Sequence, residues 1–221
     1  WDDEAGFLFN FMDNEKLDAH YYSGSLIAAY YNLLDDDKKT TLLQTAKDTL
    51  LDENIGIRNA MPPDFHELIS SYKFNGMEAG APYFYFNGGV WPQGSAWYAL
   101  GLLSNDQPDE AKRVLKKYLT LDGILNSPNG QPSFYEYRFT DPNSERYGEI
   151  DKPTFLWAGG WYLHVLYQLA GSRENSWNIY FNPNLPEGFE NTEYDLTLFG
   201  ELCRIIWQGD GNYFHKISID G

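Results

Sequence analysis

The order of apolar and polar positions divides the first 170 or so residues into helices of two alternating kinds. Ser25-Leu26-Ile27-Ala28-Ala29-Tyr30-Tyr31-Asn32-Leu33-Leu34 is apolar almost all the way round, which predicts a helix buried on every side. Asp35-Asp36-Asp37 then offers N-cap candidates for a second helix over about 37–51. Leu42, Leu43, Ala46 and Leu50 share one face of it, while Lys38, Lys39, Gln44, Lys47 and Asp48 lie largely elsewhere, so this helix should sit on the outside. The pair recurs. Residues 94–104, through Ala96-Trp97-Tyr98-Ala99-Leu100-Gly101-Leu102-Leu103, are again apolar all round. Asp106 and Pro108 mark a new helix start, and residues 107–119 set Ala111, Val114, Leu115, Tyr118 and Leu119 against Lys112, Arg113, Lys116 and Lys117. A third buried helix is expected over about 155–170, through Leu156, Trp157, Trp161, Leu163, Val165, Leu166 and Leu169.

Buried helix, short turn, amphipathic helix and long loop, repeated, predict a mainly α fold: a toroid of helical hairpins whose inner ring is buried on both sides. The long loops, 52–93 and 120–154, should gather at one rim, and loops of that length are usually functional. A helical solenoid is the competing architecture, although solenoids show tighter repeats and shorter loops. After about residue 172 the period changes. Trp177–Phe181, Leu196–Phe199, Leu202–Trp207 and Tyr213–Ile219 read as strands, with turns at Gly200 and at Gly209-Asp210-Gly211, which predicts a small antiparallel sheet. The expected division is a helical domain over 1–172 and a β accessory region over 173–221. Trp1 begins in mid-motif and Ile217–Gly221 reads as a strand running into a turn, so both ends read as cut and the chain as a piece of a longer protein.

Charge narrows the function classes. The formal balance is 16 − 32 = −16, which argues against nucleic acid and against an anionic membrane surface as partners. No apolar run reaches the ~18 residues of a membrane span, and no leader segment opens the chain. Cys203 is alone, so no internal disulfide framework is expected and the compartment stays open. His20, His66, His164 and His215 lack metal-ligand spacing, and phosphate-loop, dinucleotide and nucleophile-elbow motifs are absent, so no cofactor is expected. His164 reads as a satisfied helix residue, His66 with Asp64 and Glu67 as a solvated loop that could bind a ligand, and Asp141-Pro142-Asn143 as a turn.

The aromatic content, 17%, is the most unusual figure, and many of these rings stand beside Gly, Asn and Pro. They serve either as core or as faces that stack on sugar C–H groups. Two segments concentrate the chemistry. Tyr83-Phe84-Tyr85-Phe86-Asn87-Gly88-Gly89-Val90-Trp91-Pro92-Gln93-Gly94 leads into the second buried helix, and its glycines let backbone approach closely. Trp91, Tyr83, Tyr85 and Phe86 would wall a sugar site and Asn87 and Gln93 would bond its hydroxyls; the bland alternative is a glycine turn over a packed tryptophan. Pro132-Ser133-Phe134-Tyr135-Glu136-Tyr137-Arg138-Phe139 sets a carboxylate among aromatics in the other long loop. Glycosides are cleaved by two carboxyl groups, one an acid, the other a base or nucleophile, and Glu136 suits the base role; a rim salt bridge to Arg138 is the alternative.

Asn87-Gly88-Gly89-Val90-Trp91-Pro92-Gln93-Gly94 followed by Ala96-Trp97-Tyr98-Ala99-Leu100 resembles the motif of six-hairpin glycosidases: glucoamylases, the processing α-glucosidase type, trehalases and amylo-α-1,6-glucosidases. Phe134-Tyr135-Glu136-Tyr137, Asp141-Pro142 and Phe155-Leu156-Trp157-Ala158-Gly159-Gly160-Trp161 resemble the segment that holds their general base, and Trp1–Phe7 resembles the entry to their seventh helix. The resemblance implies the C-terminal part of an (α/α)6 barrel, an inverting mechanism, Glu136 as general base, and Tyr135, Arg138 and Trp157 among the substrate-binding residues. Those families carry the general acid before the point matching Trp1, so it would lie outside this chain; Asp64 and Glu78 are weak stand-ins. The expected partners are a neutral carbohydrate and either the missing half of the barrel or a second copy. An inverting glycoside phosphorylase is the enzymatic alternative and a non-catalytic carbohydrate-binding domain the other; lyases and epimerases of this architecture act on acidic sugars and suit the charge less well.

Overall fold

The computed structural model describes residues 1–11, 17–174, 179–198 and 200–209. Six α-helices stand among them. α1, Leu26–Tyr30, continues a 3-10 turn at Ser23–Ser25. α2 is Asp36–Thr49, α3 Pro92–Ser104, α4 Pro108–Val114, α5 Leu121–Leu125 and α6 Trp157–Leu169. Asp35 and Pro108 stand at helix starts as expected, whereas Asp106 does not cap α4, whose N-cap is Gln107. Asp35 accepts from the Lys38 backbone N–H at the start of α2, and prolines open α3 and α4.

α3 is the hub. It packs against α1, α2, α4 and α6. Ala96, Tyr98, Ala99, Leu100, Leu102 and Leu103 are all buried in one cluster with Leu26, Leu42, Ala46, Val114 and Leu169. Gly101 is where helices close up: a Cβ there would stand 2.9 Å from Leu43 Cδ2 and 3.2 Å from Ala29 Cβ. α4 runs on as a π turn, Leu115–Leu119, and buries the predicted face, Ala111, Val114, Leu115, Tyr118 and Leu119.

Three expectations change. α1 ends at Tyr30, where Asn32 turns left-handed at φ 53°, so Tyr31 and Leu33 are exposed rather than part of a buried helix. Lys39 is buried: its ammonium donates to Asn32 Oδ1 and to the Ser104 carbonyl, tying α2 to the ends of α1 and α3. α6 is buried on one side only. Val165, Gln168 and Leu169 are covered, whereas Leu156 (79% exposed), Trp157, Leu163 and Tyr167 face outward.

The long loops carry short antiparallel ladders. Leu51–Asp52 pairs with Gly56–Ile57, Tyr21–Tyr22 with Ala60–Met61, and Tyr135–Arg138 with Ile150–Pro153. Beyond α6 the expected single sheet is two separate ladders, Ser172–Glu174 with Ile179–Phe181 and Glu193–Leu198 with Glu201–Ile206. Trp177, Asn178, Phe199 and the expected strand Tyr213–Ile219 lie outside the described residues. The C-terminal part leans on the helices: Tyr194 donates to the Ala170 carbonyl, and Lys112 donates to the Glu187 carbonyl.

Candidate active site

The two long loops meet through backbone. Val90 and Arg138 exchange both N–H···O=C bonds, at 3.1 and 2.9 Å, and Arg58 bridges the other edge of Val90. The Asn59 N–H donates to the Gly89 carbonyl, and Thr140 donates through its hydroxyl to Gly88 O. Residues 58–59, 88–91 and 138–140, far apart in sequence, therefore form one edge at the N-terminus of α3.

The glycines make this edge possible. Gly88 has φ 93°, and a Cβ on Gly89 would fall 2.4 Å from the Tyr85 carbonyl oxygen, inside any permitted contact. Tyr83 and Tyr85 hold left-handed backbone (φ 65° and 49°), as do Lys152 and Thr154 (φ 48° and 68°). Such non-glycine conformations cost about 1–3 kcal/mol each and gather at working sites; here they gather on both rim segments.

Tyr85 is the centre of an aromatic wall. Its ring lies 5.0 Å from Trp91 and 5.2 Å from Tyr137, and Phe84 meets Tyr137 edge-on at 4.8 Å. Tyr137 donates to Asp151, and burial, reinforced by that carboxylate, pushes its phenol above the ordinary range. Tyr83, Phe86 and Trp91 are partly exposed, as a ligand wall requires. Trp91 Nε1 and Gln93 Oε1 are both buried and have no hydrogen-bond partner among the described residues. Buried polar groups are nearly always paired; Arg58 Nε, Asn59 Nδ2 and Tyr135 Oη on the same rim also lack a partner among the described residues.

Glu136 alternates with Tyr135 and Tyr137 and so projects from the other face of its hairpin. Its carboxylate is 17% exposed and lies 3.4 Å from the ammonium of Lys152, itself 61% exposed, so the ion pair is open to solvent. The predicted Arg138 partner is elsewhere. Arg138 is 1% exposed and donates to the Gly148 and Pro128 carbonyls, with its guanidinium over the Tyr135 ring. Burial lowers the Arg138 pKa.

Three predicted binding residues stand behind the rim surface. Tyr135 and Arg138 are buried, and Asn87, 0% exposed, uses its side chain to accept from Phe65 N and donate to Gly80 O. They brace the rim from behind. Trp157 is exposed on α6, edge-on to Phe155 and Trp161. The two rim segments come together as adjacent backbones; Trp91 keeps company with Tyr85 and, through that ring, Tyr137, whereas Glu136 faces Lys152.

One polar cluster escaped the sequence reading. His20 Nδ1 lies 2.6 Å from Asp18 Oδ1 and His20 Nε2 lies 2.6 Å from Asp64 Oδ1. Tyr22 donates to the second Asp18 oxygen, and Phe65 stacks on the imidazole at 4.2 Å. Burial raises the Asp18 carboxyl, but hydrogen bonds from Tyr22, Tyr72 and His20 outweigh it and hold the group below the usual carboxylate range. Asp64, a weak acid candidate, is therefore tied to His20, and Glu78 is exposed. The only sequence signal was Asp18 two residues before His20; the 44-residue step to Asp64 is tertiary. His164 is satisfied by Tyr30 and Gln168, as expected. Among the described residues, no group of three His, Cys, Asp or Glu is arranged to hold a metal ion, and no helix is long and apolar enough to cross a membrane.

No protein-family model matches the sequence, and no curated protein matches it. Solved structures do. Neutral trehalase Nth1 from Saccharomyces cerevisiae matches with a TM-score of 0.50 at 16% identity, over 80% of this chain and 28% of the trehalase. This chain shares the fold of part of that trehalase. A GH63 mannosylglycerate hydrolase from Thermus thermophilus, in complex with glucose, matches with a TM-score of 0.47 at 17% identity, over 76% of this chain and 36% of that one. An uncharacterized conserved protein from the same organism matches with a TM-score of 0.48 at 18% identity, with the same coverage. The chain spans between 28% and 36% of the length of these structures. Trehalases are among the six-hairpin glycosidases that the Trp91 and Glu136 motifs resemble, so the fold agrees with the motif reading.

Proposed function

We propose that this chain is the base-carrying portion of a glycoside hydrolase that cleaves a neutral, glucoside-like sugar with inversion. The observation that carries the reading is the rim edge itself. A solvent-reachable carboxylate, Glu136, stands on a segment hydrogen-bonded to the one bearing Trp91 and Gln93, whose buried polar atoms have no partner among the described residues. Trp91 and Tyr85 supply aromatic faces for the apolar side of a sugar ring, and Gln93 Oε1 accepts from a hydroxyl. Glu136 takes a proton from the attacking water. Inversion needs a carboxylic acid across the ring, roughly 6.5–9.5 Å away, and we assign that acid to a part of the protein beyond these 221 residues.

The exposed side of α6 supports the same reading. Leu156, Trp157, Leu163 and Tyr167 form an apolar strip suited to further helices of a barrel or to a second copy. The test of the active-site assignment is Glu136→Gln in the full-length enzyme. Loss of a general base should lower kcat by about 10²–10⁴ while sugar binding, followed by tryptophan fluorescence, persists. Turnover at the wild-type rate would reject the role.

A further inference from the structure

The ends of α3 face different surroundings. Its N-terminus carries the rim. Its C-terminus, roughly 18 Å away at 1.5 Å per residue, borders a cavity of about 240 Å³ between the ends of α1 and α3, the side of α6 and the ladder Ser172–Glu174/Ile179–Phe181. We infer that this cavity is a second ligand site, for a small sugar bearing one anionic group. The inference does not depend on the role proposed for Glu136.

Arg173 carries the argument. Its side chain lines the cavity and is only 4% exposed, yet among the described residues Nε and Nη1 have no hydrogen-bond partner and no carboxylate forms an ion pair with it. A buried guanidinium normally meets a carboxylate or a set of carbonyls, as Arg138 does in this chain. Burial pushes the Arg173 pKa down to about 10, so the side chain is still a cation at neutral pH. Asp106, on the same cavity wall, attracts the guanidinium without forming an ion pair with it, and a buried cation with no ion-pair partner among the described residues, beside a cavity, is a place for an anion.

The neighbours sort themselves as donors. Asn32 Oδ1 accepts from Lys39 Nζ, and Asn182 Oδ1 accepts from the Asn184 backbone N–H, so the amide nitrogen is the group each residue, both lining the cavity, has left to offer a ligand. Tyr31 and Tyr180 also line it and are 47% and 45% exposed, offering ring faces for the apolar side of a pyranose. Among the described residues, Asp106 is the one carboxylate on the wall. It disfavours a multiply charged ligand near it and suits a hydroxyl, so the ligand carries its charge at one end and hydroxyls at the other. The volume lies just under the ~300–1,000 Å³ of most small-molecule sites, which limits the ligand to about one sugar unit.

The test is calorimetric titration of the whole chain with glucose 6-phosphate, glucuronate, glucose and inorganic phosphate. Saturable binding of glucose 6-phosphate or glucuronate, at least tenfold tighter than glucose or phosphate, supports the site. Comparing the two acids tells phosphate from carboxylate as the source of the charge. Arg173→Gln should weaken that binding at least tenfold. Asn182→Asp, which sets a carboxylate among the donors and leaves the Arg173 packing untouched, should do the same if the first variant does not fold. Failure of both acids to bind, equal affinity for glucose, unchanged affinity in the folded variants, or loss of binding on Trp91→Ala would overturn the inference.

Discussion

At the scale of single residues, the informative groups are those whose partners do not match their sequence neighbourhood. Glu136 and Arg138 are two apart on one strand, which made a salt bridge the obvious alternative. The hairpin places Lys152 opposite Glu136, while Arg138 turns inward to carbonyls. Asp18 is the clearest case for a pH effect. Its folded pKa is lowered, so its contribution is fully present above the unfolded value near pH ~3.9 and is lost as pH falls through the lower folded value. Asp18→Asn should therefore be less stable than the parent at pH 7, and the gap should narrow below about pH 4. Urea unfolding at both pH values measures it; a gap that widens in acid would contradict the assignment.

Elements were legible where a period could run its course. α2, α3 and α4 form with the predicted apolar residues buried because helical spacing needs only neighbours three and four apart. α5 and the hairpin inside 120–154 were not legible, since five-residue helices and four-residue strands are too short to show a period. The hairpin also draws on a ladder partner, Val90, that is 48 positions from Arg138 by difference of residue number. The Gly88-Gly89 turn was visible as a glycine pair, but its reason, the Tyr85 carbonyl 2.4 Å from a would-be Cβ, was not. Gly89→Ala should displace that turn, abolish sugar binding at the rim and cost a few kcal/mol. Because the helices pack elsewhere, far-ultraviolet dichroism should keep its helical signal; an alanine variant that binds sugar normally would show that the turn tolerates the shift.

For the whole molecule, the apolar strip on α6 is the open question of packing. Leu156, Trp157 and Leu163 were read as core from an all-apolar helix, and that reading holds only where a neighbour exists to cover them. Left uncovered, they should drive association. Sedimentation at increasing concentration is expected to show self-association that Leu163→Lys suppresses without lowering the melting temperature; a monomer at every concentration would argue against it. The −16 charge opposes close approach of copies at low salt, so association should strengthen as salt rises. The sequence by itself determined the helices α2, α3 and α4 with their apolar faces, the strand character of the tail, and the segments that hold Glu136 and Trp91, because periodicity and local motif are short-range properties. Only the tertiary structure decided which side of α6 is covered, which groups face Glu136 and Arg138, and that Asp18, His20 and Asp64 meet. It alone set Arg173, without an ion-pair partner among the described residues, beside a cavity, because each of these depends on chain segments brought together from far apart.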